Sequence, residues 1–240
     1  MRLLTLFTLE RPQWSVSDLA RAAGLHKSVV TRSMATMASA GFVTQDPHTK
    51  TYGIGPKAFS VGNTYQPHTI LSQIARPIMR DLTDRHRYAT SLGVPAGDRF
   101  LYLLVNEGNL RIRVAAGVGE VRDYHANAAG KALLTGFSDA EIRRLLGSGS
   151  LPALTPYTLT SVDVLLAEVA EVRRTGVAYN RQEANLGVAA VGSPVFDGSG
   201  ACIAGLSIVY PSHMVTETEV AGFEVAVTTA ARLISTKLAR

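Results

Sequence analysis

Residues 18–42, DLARAAGLHKSVVTRSMATMASAGF, decide how this chain is read. Two short helical patterns flank an Ala-Ala-Gly-Leu turn, and the second pattern has two unlike sides. At helical spacing Val30, Ser33, Met34 and Met37 fall on one side, while Lys27, Ser28, Thr31 and Arg32 fall on the other. The first side can pack. The second offers two positive charges and two short hydroxyls, which reach phosphates and base edges at little ordering cost. A helix, a tight turn at Gly24 and an amphipathic second helix make up the helix-turn-helix signature, whose second helix enters the major groove of duplex DNA. An ordinary helical hairpin with a solvated face is the plain alternative.

On the N-terminal side, Leu3, Leu4, Phe7 and Leu9 predict a short apolar helix that ends before Pro12, and Ser15 with Asp18 predicts a capping box that starts the next helix. On the C-terminal side, Gly41 closes the second helix. Residues 42–45 and 51–54 then read as strands around the turn Asp46-Pro47-His48-Thr49-Lys50. A hairpin in that place is a wing, whose tip residues Lys50 and His48 can reach a neighbouring phosphate. A solvated turn is the bland reading of the same residues. Charge favours the first reading: residues 1–66 carry a balance of +4, whereas the remaining 174 residues carry only +1.

The 240 residues suggest two domains. No apolar run approaches the roughly 18–20 residues of a membrane helix, and the first residues lack the pattern of a cleaved leader. A cytoplasmic chain with no membrane partner is therefore expected. The single cysteine, Cys202, can neither close an internal disulfide nor build a zinc cluster, and lies in an apolar run as a buried structural thiol would.

The boundary is placed at residues 56–68, where Gly55, Pro56, Gly62 and Pro67 flank a short apolar segment that reads as a linker helix. This gives residues 1–55 as the DNA-binding domain and 69–240 as the second domain. A helix from about Ile70 to Arg87 is followed by a change of period to two. Strands are expected over 88–94, 100–105 and 110–115, and again over 189–196 and 201–210. Helices are expected to open at Asn127, at the capping box Ser138 to Glu141, at Thr160 or Ser161 with an end at Gly176, and at Glu217. Because the strands come in hairpins, the second domain is predicted to be an antiparallel sheet flanked by helices, and the whole chain α+β.

These features together resemble the IclR family of bacterial transcriptional regulators. The resemblance is carried by residues 24–32, 40–43 and 52–55, by Ala75-Arg76-Pro77 and by 126–133. It continues through Arg174-Thr175-Gly176, Glu183 with Gly187, and Pro194-Val195-Phe196-Asp197. It implies a winged helix-turn-helix on a GAF-like effector domain, assembled as dimers or tetramers on palindromic operators. It also implies a small organic acid bound in the second domain, with the chain acting as a repressor. By the same resemblance, the backbone amides of Ala128 and Ala129, a polar group at Asn180 and the positions of Ala190, Ser207 and Val209 contribute to the effector site. An amide-lined helix start suits a carboxylate. Many relatives have an acidic pair near Asn180-Arg181, a polar residue at Ala190 and a hydroxyl at Val209. This chain departs from all three, which makes the site less acidic and more apolar. An aromatic carboxylate or an amide-like derivative follows as the expected effector, with Arg113, Tyr124 and His125 as further lining candidates; a surface ion pair or a satisfied core group is the alternative for each of these three.

Enzyme readings find little support. Gly130-Lys131 lacks the glycine spacing and the following hydroxyl of a phosphate loop, the histidines show no zinc-ligand pairing, and no Gly-x-Ser-x-Gly elbow occurs. No cofactor or metal is expected. A regulator whose second domain serves assembly alone, without a ligand, stays open as the second reading.

Overall fold

A computed structural model describes residues 3–8, 11–62, 67–108, 117–147 and 149–240. The chain divides into two compact units, Met1–Pro67 and His68–Arg240.

In the first unit a 3-10 turn (Leu4–Leu6) precedes β1 (Gln13–Trp14), α1 (Val16–Ala23), α2 (Lys27–Ser39), β2 (Val43–Gln45), β3 (Tyr52–Ile54) and α3 (Pro56–Gly62). The expected first helix is therefore reduced to a single turn with no capping side chain. So short a segment cannot offset the cost of helix nucleation by itself. The Ser15 hydroxyl caps α1, accepting from the Asp18 amide (3.1 Å) and donating to its carboxylate (2.9 Å). Gly24 ends α1 at φ +65°, a left-handed conformation that glycine adopts without a Cβ clash. The sheet runs β1-β3-β2, all antiparallel. Leu3, Trp14, Leu19, Val30, Met34, Val43 and Tyr52 bury together beneath it. The short β1 was not anticipated: two residues are too few to show a period, and Trp14 is held there by pairing with Tyr52.

The second unit contains α4 (Pro67–His86), β4 (Ala89–Ala96), β5 (Arg99–Asn106), β6 (Val121–Arg122), α5 (Ala128–Leu134), α6 (Asp139–Leu146), α7 (Val162–Thr175), β7 (Ala178–Arg181), β8 (Val188–Phe196), β9 (Cys202–Pro211) and α8 (Glu217–Leu238). Proline, which lacks the N–H that a first helical position leaves unused, stands at the start of α4. The helices at 138 and 217 open on complete capping boxes, Ser138 with Glu141 and Thr216 with Glu219. Gly176 closes α7 in the left-handed conformation. The strand expected over 110–115 lies outside the described residues. Strands β6 and β7 were not foreseen, each being four residues or fewer.

The six strands form one antiparallel sheet in the order β6-β5-β4-β9-β8-β7. Its two faces are covered differently. On one face α4 and α8 pack Leu71, Ala75, Met79, Leu82, Phe223, Val227, Ala231 and Ile234 onto Leu92, Val191, Leu206 and Ile208. On the other, α5 lies directly against the strands with its backbone. A Cβ added at Gly205 would stand 2.1 Å from the Ala129 carbonyl oxygen, and one at Gly192 would stand 2.9 Å from the Ala128 carbonyl carbon. Backbone fills the space a side chain would need, so α5 cannot lift away without opening a void.

Gly205→Ala is therefore expected to destabilise the second unit by about 1–3 kcal/mol or more, as overpacking does. Gly222→Ala, within α8 where an added Cβ meets nothing within 4 Å, is expected to stabilise it by about 0.5–1 kcal/mol. Urea midpoints of the two variants moving in the same direction would contradict this assignment of space.

Candidate functional site

The first unit exposes the polar side of α2. Val30 and Met34 are fully buried, and Lys27, Ser28, Thr31 and Arg32 are all exposed. Of the cations nearby, Arg21 pairs with Asp18 (3.1 Å), while Arg11 lies 3.6 Å from Asp18 and stacks over Trp14 at 3.4 Å. Lys27, Arg32 and Lys50 form no ion pair among the described residues. The charges expected as phosphate partners are thus free of close ion pairs among the described residues, as is Lys57, although Lys50 lies near enough to Asp46 to help lower that carboxyl. Thr31 differs from expectation in one respect: its hydroxyl donates to the Lys27 carbonyl (2.9 Å), so only its acceptor lone pairs face outward.

The wing tip is organised by Asp46. Its carboxylate accepts from the amides of His48 (2.8 Å) and Thr49 (2.9 Å), and the Thr49 and His48 amides hold its carboxyl below the usual range. Lys50 takes φ +57°, and its carbonyl accepts from Gln45 Nε2 (3.2 Å). This turn fixes the backbone and leaves the Lys50 and His48 side chains exposed.

In the second unit the antiparallel register gathers most of the expected effector residues on the α5 face. Asn180 pairs with Ala190, Ala190 with Val209, and Val209 with Ala89, so one row crosses β7, β8, β9 and β4. The adjacent same-face row runs Ala178, Gly192, Ser207 and Ser91. Ala128, in the first turn of α5, packs on Ala89, Ala190 and Val209. Ser207 and Ser91 share a buried hydroxyl hydrogen bond of 2.7 Å. Asn127 precedes α5 but does not cap it, because its Oδ1 accepts from Tyr102 OH (3.3 Å) and its Nδ2 donates to the Asp123 carbonyl (3.0 Å). The first-turn amides of α5 consequently meet no side-chain acceptor among the described residues.

Other candidates part from this group. Ala129 turns toward Phe100, Tyr102 and Tyr124. Tyr124 is not a lining residue of these rows: its fully buried ring packs on Phe100 and Phe137, its hydroxyl reaches the Gly97 carbonyl (3.5 Å), and burial pushes its pKa up to about 12. His125 is buried with Nε2 at 2.9 Å from the Pro152 carbonyl. Arg113 lies outside the described residues. For Tyr124 and His125 the satisfied core group, weighed as an alternative in the sequence, is what the fold uses.

A buried charge cluster behind the rows was missed. Lys131, fully buried on α5, holds Glu183 (2.6 Å) and Glu168 (2.5 Å) through one ammonium. Burial pushes the Glu183 carboxyl above the usual range, against the pull of Lys131. The Glu183 amide in turn donates to Asn180 Oδ1 (2.8 Å). A signal for this cluster existed: a lysine amid Ala128-Ala129-Gly130 and Ala132-Leu133-Leu134 has no polar face to occupy, and a buried ammonium requires carboxylates.

A winged helix-turn-helix with unneutralised cations, followed by an α+β unit with a buried polar row beneath an uncapped helix, defines a two-unit DNA-binding regulator. Comparison with known proteins agrees. Residues 64–236 match the model of the bacterial transcriptional regulator IclR C-terminal domain, and residues 1–47 match the IclR helix-turn-helix domain. The chain belongs to the IclR family of transcriptional regulators. It is 29% identical over 221 residues to the HTH-type transcriptional regulator BhcR of Paracoccus denitrificans, covering 92% of this chain and 79% of that one. A crystal structure of an IclR transcriptional regulator from Silicibacter sp. TM1040 superimposes with a TM-score of 0.89 at 26% identity, over 99% of this chain and 94% of that one. The structure of an IclR homologue from Microbacterium hydrocarbonoxydans, complexed with 4-hydroxybenzoate, matches with a TM-score of 0.81 at 24% identity, over 99% and 96% of the two chains, a likeness of fold alone. The chain regulates transcription and is not an enzyme. Among the described residues no helix is long and apolar enough to cross a membrane.

Removing the ammonium isolates two carboxylates, so Lys131→Met is expected to cost about 3–5 kcal/mol of stability near neutral pH. A buried carboxyl with a raised pKa favours the fold only while protonated. The loss in Lys131→Met is therefore expected to shrink toward pH 5 and to grow as pH rises, which urea unfolding across pH measures. Cys202 offers a separate check. Burial raises its pKa to about 11, so its alkylation by iodoacetamide at pH 8 is expected to run about a hundredfold slower in the folded chain than in urea; equal rates by mass spectrometry would place the thiol outside the core.

Proposed function

We propose that this regulator reads its operator with Lys27, Ser28, Thr31 and Arg32 of α2 and with Lys50 of the wing, and that its second unit adjusts that grip in response to a small aromatic carboxylate or an amide-like derivative. The observation that carries the effector half is the pairing of uncapped first-turn amides with a small apolar floor. The N–H groups of Ala128 and Ala129 stand at the positive end of α5, where a carboxylate gains from both hydrogen bonding and the helix field. Ala89, Ala190 and Val209 form the floor, an apolar surface suited to a ring, and Ser207 and Asn180 border it with polar atoms. The 4-hydroxybenzoate bound by the Microbacterium homologue is an acid of this kind.

The DNA half rests on symmetry and linkage. As a homodimer or a pair of dimers, the chain presents two reading helices to the two halves of a palindrome, spaced by about one helical turn or a multiple of it. Seated across a promoter, it acts as a repressor by occupying the duplex. A ligand alters that occupancy only as far as its affinity differs between the DNA-competent arrangement and the alternative. The domains in this reading are residues 1–55 for DNA, 56–68 as linker and 69–240 for effector and assembly, within a cytoplasmic chain.

The two halves are expected to separate by mutation. Arg32→Ala should weaken binding to a promoter fragment by about tenfold to a hundredfold and lower the salt slope by about one, leaving benzoate-type binding intact. Asn180→Asp retains an oxygen for the Glu183 amide but replaces the outward donor with a negative acceptor. It should abolish carboxylate binding while sparing DNA affinity. Fluorescence anisotropy with labelled DNA and calorimetry with 4-hydroxybenzoate and benzoate measure both quantities. Loss of both activities in either variant contradicts the division; saturable binding of short keto acids with none of benzoate-type acids contradicts the aromatic effector.

A further inference from the structure

The opposite face of the sheet is left partly uncovered at one edge. Strand β7 pairs with β8 only as far as Gly192, so from Ser193 onward that edge of β8 has no neighbouring strand. A cleft of about 390 Å³ lies there between β8, the turn after α7 and the side of α8. Its apolar walls include Val177, Pro194, Phe196 and Val225. Three polar groups enter it. Ser193 is only 4% exposed, and its hydroxyl makes no hydrogen bond among the described residues. Glu224 accepts from Tyr179 OH through Oε1 (2.6 Å), and its Oε2 has no partner among the described residues. Arg232 forms no ion pair or side-chain hydrogen bond among the described residues.

The Ser193 hydroxyl is not closed off in the interior: it opens onto the cleft, where a polar group of a guest can take the place of solvent. The two charges define what kind of molecule that is. Glu224, Thr228 and Arg232 follow one another at i, i+4 and i+8 along one side of α8, about 12 Å from first to last. The side chains of Glu224 and Arg232 are long enough to close that interval to the dimensions of a small dipolar molecule. A simple anion on Arg232 would face the Glu224 carboxylate, and a simple cation on Glu224 would face the guanidinium. A molecule carrying both charges meets neither penalty.

We propose that this cleft is a second ligand site, separate from the α5 face, for a small zwitterion with an apolar body, namely an apolar amino acid. Its carboxylate pairs with Arg232, its ammonium with Glu224 Oε2 and the Ser193 hydroxyl, and its side chain lies on Phe196, Val177 and Val225. Ser193 directly follows Gly192, which faces α5, so the two sites share strand β8 from opposite sides. The inference does not depend on the effector chosen for the α5 face.

The full-length chain is to be titrated with L-phenylalanine and L-leucine by calorimetry and ligand-detected NMR, with phenylacetate and phenethylamine as single-charge controls. Saturable binding of at least one amino acid is expected. Arg232→Ala and Glu224→Gln, the latter still able to accept from Tyr179, should each weaken it about tenfold or more, and Ser193→Ala should weaken it to a smaller degree. Asn180→Asp, on the other face, should leave it unchanged, and circular dichroism checks that each variant is folded. The proposal is overturned by an absence of saturable binding of both amino acids up to about 10 mM, by equal affinity for the single-charge controls, or by binding that survives Arg232→Ala and Glu224→Gln but is lost in Asn180→Asp.

Discussion

One ammonium group organises the second unit. Lys131 projects from α5 into the interior with its side chain fully buried, and two carboxylates from different parts of the chain close around it: Glu168 of α7 and Glu183 of the β7–β8 connection. Such a cluster contributes little net stability against an apolar substitute, because desolvation offsets attraction. What it imposes is position, since none of the three groups can be moved away from the others without leaving a bare charge. The connection is tied further at its backbone, where the hydroxyl of Thr155 donates to the Gln182 carbonyl (2.8 Å), that of Thr158 donates to the Glu183 carbonyl (2.6 Å), and the Gly187 amide donates to Gln182 Oε1 (2.8 Å). The segment between β7 and β8 is thereby a fixed frame, even though it has no regular structure.

The sheet to which this frame is fastened is lined asymmetrically. Toward α4 and α8 its residues are large, and they build the main core. Toward α5, strands β4, β8 and β9 present mainly Ala, Gly, Ser and one Val, because a helix backbone lies where side chains would otherwise stand, with Asn180 on β7 and Phe100 and Tyr102 on β5 at the flanks. Small residues and buried hydroxyls on one face, and large apolar ones over most of the other, are two solutions to covering a sheet: the first keeps polar atoms along its middle, and the second keeps them only at the β8 edge, where Ser193 borders the cleft. The first unit divides its surface in a comparable way, spending Asp18 on Arg11 and Arg21 and leaving Lys27, Arg32 and Lys50 to the solvent side of α2 and the wing. The separation of charge between the two units, legible from the sequence, is thus also a separation of tasks.

Much of the architecture could be read from residues whose signals are local. The capping boxes at Ser138 and Thr216, the left-handed glycines after α1 and α7, and the β8–β9 hairpin around Asp197-Gly198-Ser199-Gly200 stand where the side chains place them. What escaped was non-local. Strands β1, β6 and β7 are too short to display alternation and exist because a longer partner is available to pair with. The row Asn180, Ala190, Val209 and Ala89 joins four strands, and its register is set by a hairpin, a bulge between Val195 and Phe196, and pairings that span more than a hundred residues. Tyr124 shows the same limit from the other side. In the sequence it is a candidate lining residue with a core group as the alternative, and which way its ring turns depends on Phe100 and Phe137, residues on other parts of the chain. The family resemblance supplied candidates that spacing could not, and the register then sorted them.

The charge cluster and the α5 face of the sheet meet at Asn180. An amide side chain offers an acceptor at one end and donors at the other, and its orientation follows from the hydrogen bonds around it. Here the Glu183 amide donates to Oδ1, so Nδ2 is the end left toward the face, and it makes no hydrogen bond among the described residues. That choice is made by Glu183, whose own position is dictated by Lys131. With the uncapped amides of α5 close by, the polar groups presented there are donors, and an acceptor such as a carboxylate or carbonyl satisfies them where an ammonium cannot. In the proposed reading, the preference of this face for an anion over a cation would come from a lysine that never touches it: by holding one carboxylate in the interior, Lys131 fixes which end of a neutral amide is left toward the face.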